Sequence, residues 1–295
     1  MKVLIATLLC ALISIEIQAQ NNEIPANTEY TREDSTLVVN LLTRAKTEMG
    51  DTNPMLYFAR QFDRKPYASH TLEGGTEEHL IVNLHSFDCT TFIESVAALA
   101  LCHLNDRRTF SDYCQQLIQL RYRQGKMTDY TSRLHYFTWW TDDNIQKGLM
   151  SDVLATNEAI APLTAIQTVN LNLMSTHPEQ YKQLGNHPEF IPVIRKYEQE
   201  TKGKQYRYLP KIQTNKRQNT PLGAIHDGDI VAFTTSKQGV DVTHTGLLYW
   251  QNGALHAIHC SSVYKRVTID QRSLNAYQLQ QTSQTGIRVF RIKGL

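Results

Sequence analysis

Cysteine is scarce in this sequence, with five in 295 residues. One of them, Cys10, falls in an apolar run at the N-terminus, and the remaining four are too few for a disulfide framework in a chain of this length. A hydrophobic core must therefore hold the fold. An excess of one charge is also lacking: 30 Lys and Arg stand against 28 Asp and Glu, leaving a net charge of +2. No Lys/Arg block of the kind that tracks phosphates occurs, which argues against nucleic acid as a partner. After Val3 to Ile15 no run approaches the ~18 continuous apolar residues of a membrane span. There is no His-Glu-x-x-His run and no calcium-loop spacing, although Asp142, Asp143 and Asn144 cluster, and these read as solvated capping residues.

The N-terminus has Lys2, the apolar run 3–15, and a small residue at Ala19. This is the pattern of a secretory signal peptide cleaved near Ala19, which implies export, most simply to a periplasm, with no membrane span. A lipid anchor at Cys10 is the rival reading; it lacks the small residues expected before a modified cysteine. Cys89, Cys102, Cys114 and Cys260 then remain. Cys102 and Cys114 either bridge a helix junction or are buried small hydrophobes. An unpaired cysteine in an exported protein needs a reason, and catalysis is one.

Residues 20–295 read as a single catalytic domain with a helical half at about 31–200 and a β-rich half at about 206–295. Residues 21–31 are polar and irregular and read as a mobile tail. Leu37, Val38, Leu41, Leu42, Ala45 and Met49 form a helical stripe ended by Gly50, and Asn53-Pro54 starts a second helix. Residues 80–84 read as a strand, about 110–122 as an amphipathic helix, 164–174 as a half-buried strand and 196–204 as a charged helix end or linker. The aromatic segment 132–140 fits either a core helix face or the wall of a ligand site. Short β-rich runs at 206–209, 229–234, 243–250, 254–259, 263–269 and 287–292, separated by Asp227-Gly228 and Asn252-Gly253, predict an antiparallel sheet. Helices followed by a sheet give an α+β fold.

The chemistry concentrates at Phe87-Asp88-Cys89-Thr90-Thr91-Phe92. Asp88 is a good capping residue, and Phe92, Val96, Leu99 and Ala100 recur as one face of an amphipathic helix, so Cys89 falls in its first turn. There the free N–H groups and the helix dipole favour thiolate over thiol, as a nucleophile requires. A histidine suits the transfer of its proton to a leaving amine. Two regions of one hairpin, His244-Thr245-Gly246 and His256-Ala257-Ile258-His259-Cys260-Ser261, offer a base and an orienting partner.

These segments together resemble the NlpC-type papain-like cysteine peptidases of bacterial cell-wall metabolism. The segments Phe87 to Phe92, Arg133-Leu134-His135-Tyr136-Phe137 and Asn172 to His177 are similar to its N-acetylmuramoyl-L-alanine amidase-like branch. The resemblance implies a papain-like core, its antiparallel sheet packed on the nucleophile helix, with extra N-terminal and inserted helices. It also implies no metal and no cofactor. By the same resemblance Cys89 is the nucleophile, His244 the base and acid, and His259 the orienting residue, with His256 its competitor on the opposite strand face. The substrate implied is a peptidoglycan fragment, most simply a 1,6-anhydro muropeptide cut at the lactyl amide to L-alanine. Asp88 would brace the loop, while Arg133, His135 and Tyr136 would meet substrate carboxylate or sugar hydroxyls.

Three other functions compete. A γ-D-glutamyl endopeptidase would use the same chemistry to cut within the stem peptide. A zinc hydrolase would use His256, His259 and Cys260 with an acidic residue. A wall-binding module would leave Cys89 as a buried thiol.

Overall fold

The computed structural model describes residues 23–75 and 77–295; the expected signal peptide and Cys10 lie outside the described residues. Strand β1 (Thr28–Glu29) precedes helix α1 (Arg32–Glu48) and pairs in parallel with β2 (Leu80–Ile81). The stretch expected to be a free tail is thus partly tied into the fold, and the predicted strand at 80–84 is short and separate from the main sheet. Thr31 and Asp34 cap α1 reciprocally, and Asp34 also accepts from the Leu84 amide at 2.8 Å, which fixes the segment leading to Cys89. Helix α2 (Pro54–Gln61) begins at an Asn53 cap with proline in its first turn.

Helix α3 (Cys89–Leu104) is the centre of the molecule. A single apolar face was expected; instead every residue from Thr91 to Cys102 is buried. The reason lies in its neighbours: α1, α2 and helix α4 (Phe110–Arg121) pack against it, as does the main sheet. Such a helix tolerates few polar side chains. Glu94 is neutralised by Arg121 at 2.8 Å, both side chains 3% exposed. Cys102 and Cys114 are buried free thiols rather than a bridge.

Helix α5 (Phe137–Gln146) follows, and its Trp139 and Trp140 are core residues. Next come β3 (Met150–Asp152), α6 (Val153–Thr156), β4 (Ala165–Val169), α7 (Leu173–Thr176), α8 (Lys182–Asn186) and α9 (Phe190–Thr201). The strand expected over 164–174 therefore stops at Val169, and no charged linker follows α9, because β5 (Lys204–Pro210) starts three residues later. The remaining elements are β6 (Ile230–Thr235), β7 (Val242–Gln251), β8 (Ala254–Ser261), β9 (Arg266–Ile269), α10 (Leu274–Leu279) and β10 (Gln284–Ile292).

The main sheet has eight strands in the order β4-β5-β10-β6-β7-β8-β9, with β3 also paired to β10. All its pairings are antiparallel. The period of two sends Leu247 and Ile258 into the core shared with the helices, and Leu248 and Ala257 into a second cluster with α6 and α10. The β7–β8 hairpin turns at Asn252 (φ 51°) and Gly253 (φ 73°), the two left-handed positions that a tight two-residue turn requires. This α+β arrangement brings the start of α3 to the start of β7. Among the described residues no helix is long and apolar enough to cross a membrane.

Candidate active site

The start of α3 is fixed by a reciprocal cap: Asp88 Oδ1 accepts from the Thr91 amide at 2.7 Å, and the Asp88 amide donates to Thr91 Oγ1 at 3.0 Å. Cys89 is therefore the first residue of the helix. Thr245 of β7 donates its hydroxyl to the Cys89 carbonyl at 2.9 Å, pinning helix to strand. Cys89 and His244 line one cavity of about 450 Å³, together with Tyr67, Asp88 and Thr245.

His244 and His259 project from neighbouring strands onto one face of the sheet. Their rings meet edge-on, with His244 Nε2 2.6 Å from His259 Nδ1. Gly246 makes this possible: a Cβ there would lie 2.9 Å from the Ile258 carbonyl oxygen and 3.1 Å from His259 Cβ. Phe233 stacks on His244 at 5.6 Å, and Tyr277 packs beside both histidines. Behind them stands Asp270, whose Oδ2 is 3.4 Å from His259 Nε2. That separation is long for a hydrogen bond, and His259 Nε2 has no other hydrogen-bond partner. Asp270 is itself gripped by Arg272, Nε at 3.0 Å and Nη2 at 2.6 Å. Burial opposes its charge, but the bonds from His259 and Arg272 prevail and hold the carboxyl well below its usual range.

A carboxylate only accepts, so with both rings neutral the row has one self-consistent assignment of protons. His259 carries its proton on Nε2, facing Asp270. Its Nδ1 then accepts from His244 Nε2–H, and His244 Nδ1 is left with a free lone pair. Sequence reasoning missed Asp270, because an aspartate after a strand looks like an ordinary turn residue.

The resting charge state differs from the expected thiolate. Burial, and then the charge of Asp88, push the Cys89 thiol up to about 11, against the pull of the Thr245 amide and hydroxyl and the Thr90 hydroxyl. Burial and His259 push His244 down to about 3. The helix terminus is present, but desolvation outweighs it, and the pair rests as neutral thiol and neutral imidazole. Among the described residues no hydrogen bond joins Cys89 Sγ to His244. Thr245, bonded to the Cys89 carbonyl, and His244, one residue earlier, both line the cavity at which Cys89 opens its helix.

His256 lies on the strand face opposite His259, beside Tyr249, with Nδ1 3.3 Å from the Asp270 backbone oxygen. The structure thus brings His259, not His256, to His244. The same opposition separates the His256, His259 and Cys260 set of a zinc site, and Cys260 donates its thiol to the Phe87 carbonyl at 3.1 Å.

The four residues expected at the substrate all line the cavity, but their polar groups are largely committed within the protein. Asp88 is the helix cap. Arg133 donates to Leu72 O and Glu73 Oε1 at 2.8 and 2.7 Å, and His135 Nε2 bonds the Tyr130 carbonyl at 2.7 Å. Burial and Arg133 hold the His135 imidazole well below its ordinary range. Tyr136 donates to Glu198 at 2.6 Å and accepts from the Met174 amide at 2.9 Å. These residues shape the cavity and hold its loops together. Asp241, which sequence reasoning also passed over, caps the start of α5 at the Thr138 amide and so anchors the entry to β7.

A family description, "N-acetylmuramoyl-L-alanine amidase-like", matches residues 57–287. The chain belongs to this family, and membership points to hydrolysis of an amide bond in a peptidoglycan-type substrate. The crystal structure of an N-acetylmuramoyl-L-alanine amidase from Bacteroides uniformis ATCC 8492 is similar at 35% identity, covering 81% of this chain and 97% of that one, with a TM-score of 0.75. A Bacteroides fragilis protein described as a candidate xylanase is similar at 39% identity, covering 79% and 99%, with a TM-score of 0.72. A Legionella pneumophila protein, LPG0564, shares the fold at 20% identity and a TM-score of 0.65, covering 88% and 94%. No curated protein sequence matches the chain.

Proposed function

We propose that this protein is an exported, periplasmic cysteine amidase. It cleaves the amide between the lactyl group of N-acetylmuramic acid and L-alanine in peptidoglycan fragments, 1,6-anhydro muropeptides being the expected form. The observation that carries the reading is the row His244–His259–Asp270 ending at the cavity where Cys89 opens its helix. Such a row of base and orienting groups is the recurring arrangement of nucleophilic hydrolases, and the papain-like class has it split between a helix and a sheet.

In this reading His244 Nδ1 takes the Cys89 proton as sulfur attacks the carbonyl carbon. Concerted transfer suits a pair that rests neutral, since no free thiolate is needed. The tetrahedral oxyanion is met by N–H groups at the start of α3, where the first-turn amides lack helical partners. His259 and Asp270 stabilise the imidazolium, which then gives its proton to the departing L-alanine nitrogen. A water, deprotonated by His244, attacks the thioester carbonyl and releases the muramic acid carboxylate with restoration of the thiol.

Mass analysis of products from a defined anhydro-muropeptide tests this. Release of the intact stem peptide, with a free lactyl carboxylate on the sugar, is expected. A sugar that keeps L-alanyl-D-glutamate would instead show the γ-D-glutamyl endopeptidase.

A further inference from the structure

One end of the cavity carries three buried polar atoms without a hydrogen-bond partner: the Tyr130 hydroxyl, Glu73 Oε2 and Arg133 Nε, the last of which faces Glu78 at 3.6 Å. Tyr130, 1% exposed, lines the cavity, and its hydroxyl has no hydrogen-bond partner. Glu73 lines it too; its Oε1 accepts from Arg133, while the buried Oε2 has no partner. Leaving such a group dry and unpaired costs about 1–3 kcal/mol, so a pair of them marks a place meant for a ligand or for water.

The chemistry at this end is specific. Arg133 passes over the Tyr130 ring at 4.8 Å and stands near its hydroxyl, but a guanidinium only donates, so the Tyr130 proton stays available. Arg133 also pairs with Glu73 at 2.7 Å and faces Glu78 at 3.6 Å. The Glu73 charge is thereby largely balanced, which weakens the pull on a cation. With Arg133 Nε turned to the Glu78 charge, what remains is one free donor, one free acceptor and the apolar side chains of Leu72 and Leu134 in the lining. A neutral group that has both a carbonyl and an N–H fits this set better than an ion does.

We propose that the Tyr130–Glu73 end is a subsite for a secondary amide of the substrate. Tyr130 donates to the amide oxygen, and Glu73 Oε2 accepts from its N–H. The inference rests on the reading of this cavity as a muropeptide site. In that substrate the amide belongs either to the acetamido group of the sugar or to the backbone of the stem peptide.

Calorimetric binding to the Cys89→Ala protein, with and without Tyr130→Phe, separates the outcomes. The probes are N-acetylmuramoyl-L-alanyl-D-glutamate, its 2-amino counterpart lacking the acetyl group, and free L-alanyl-D-glutamate. Tyr130→Phe keeps the ring against Phe190 and His135, and Glu73→Gln serves as a second variant should folding fail. If the acetamido group is the source, Tyr130→Phe weakens the acetylated probe about tenfold and leaves the amino probe within twofold. An equal loss for all three probes assigns the subsite to a peptide amide. The proposal is overturned if Tyr130→Phe and Glu73→Gln change no affinity, or if the amino probe binds the unaltered subsite more tightly than the acetylated one. Wild-type protein is assayed for hydrolysis in parallel. Binding discrimination without hydrolysis refutes the amidase reading and keeps the subsite, whereas hydrolysis without discrimination does the reverse.

Discussion

Replacing Asp270 with Asn tests the proton assignment along the histidine row. The carboxylate is 3% exposed and touches His259 Nε2 at 3.4 Å and two Arg272 nitrogens at 2.6 and 3.0 Å. Asn has nearly the same shape but no charge, and its amide can present a donor to His259. That would turn His259 over to the other tautomer, so that Nδ1–H faces His244 and His244 loses its acceptor for Nε2–H. A hydrogen bond to a charged group contributes about 1.5–3 kcal/mol, and here it acts on the imidazolium formed in the transition state. At about 1.4 kcal/mol per tenfold, kcat should fall about 10- to 100-fold. Asp270 does not line the cavity, so KM should stay within about twofold. Steady-state kinetics on a muropeptide give both constants, and histidine 15N shifts give the tautomers. A folded Asp270→Asn protein with unchanged kcat, or with a loss confined to KM, would refute the reasoning.

Gly246→Ala should drive His259 from His244, because the new Cβ meets the Ile258 oxygen at 2.9 Å. The cost is about 1–3 kcal/mol in urea unfolding together with a loss of kcat. The raised Cys89 thiol, at about 11, means that little thiolate exists at neutrality. Iodoacetamide labelling of Cys89 should therefore keep accelerating above about pH 9, and a plateau by about pH 7 would contradict it. His244 is pushed down to about 3 from 6.5, so the unfolded chain binds a proton that the folded one refuses between those values. Its contribution makes unfolding free energy decrease as pH falls through that window, and His244→Ala should flatten the slope.

Much of the framework was legible because it depends on local rules. The Asp88 cap, the Asn53-Pro54 start, the hairpin turn at Asn252-Gly253 and the alternating strands are written within a few residues each. The full burial of α3 was not, since its polar-looking sides are covered by α1, α2 and α4, which only tertiary packing reveals. For the candidate site, Cys89, His244 and His259 stood out from cap, strand and motif. The choice of His259 over His256 depends on which strand face meets His244, and pairing register decides that. Asp270 and Tyr130 were invisible for a related reason: one acts through an imidazole from a neighbouring strand end, and the other is marked only by a missing partner. The expected thiolate failed because a helix terminus is a local signal, whereas desolvation is set by the whole fold.

The most direct test of the central claim is mass spectrometry of the protein quenched in acid during turnover of a muropeptide. The account predicts an added muramoyl mass on the peptide containing Cys89, removed by hydroxylamine as a thioester should be, and absent from Cys89→Ala. Undiminished hydrolysis by Cys89→Ala, with no adduct at Cys89 in the wild type, would contradict it.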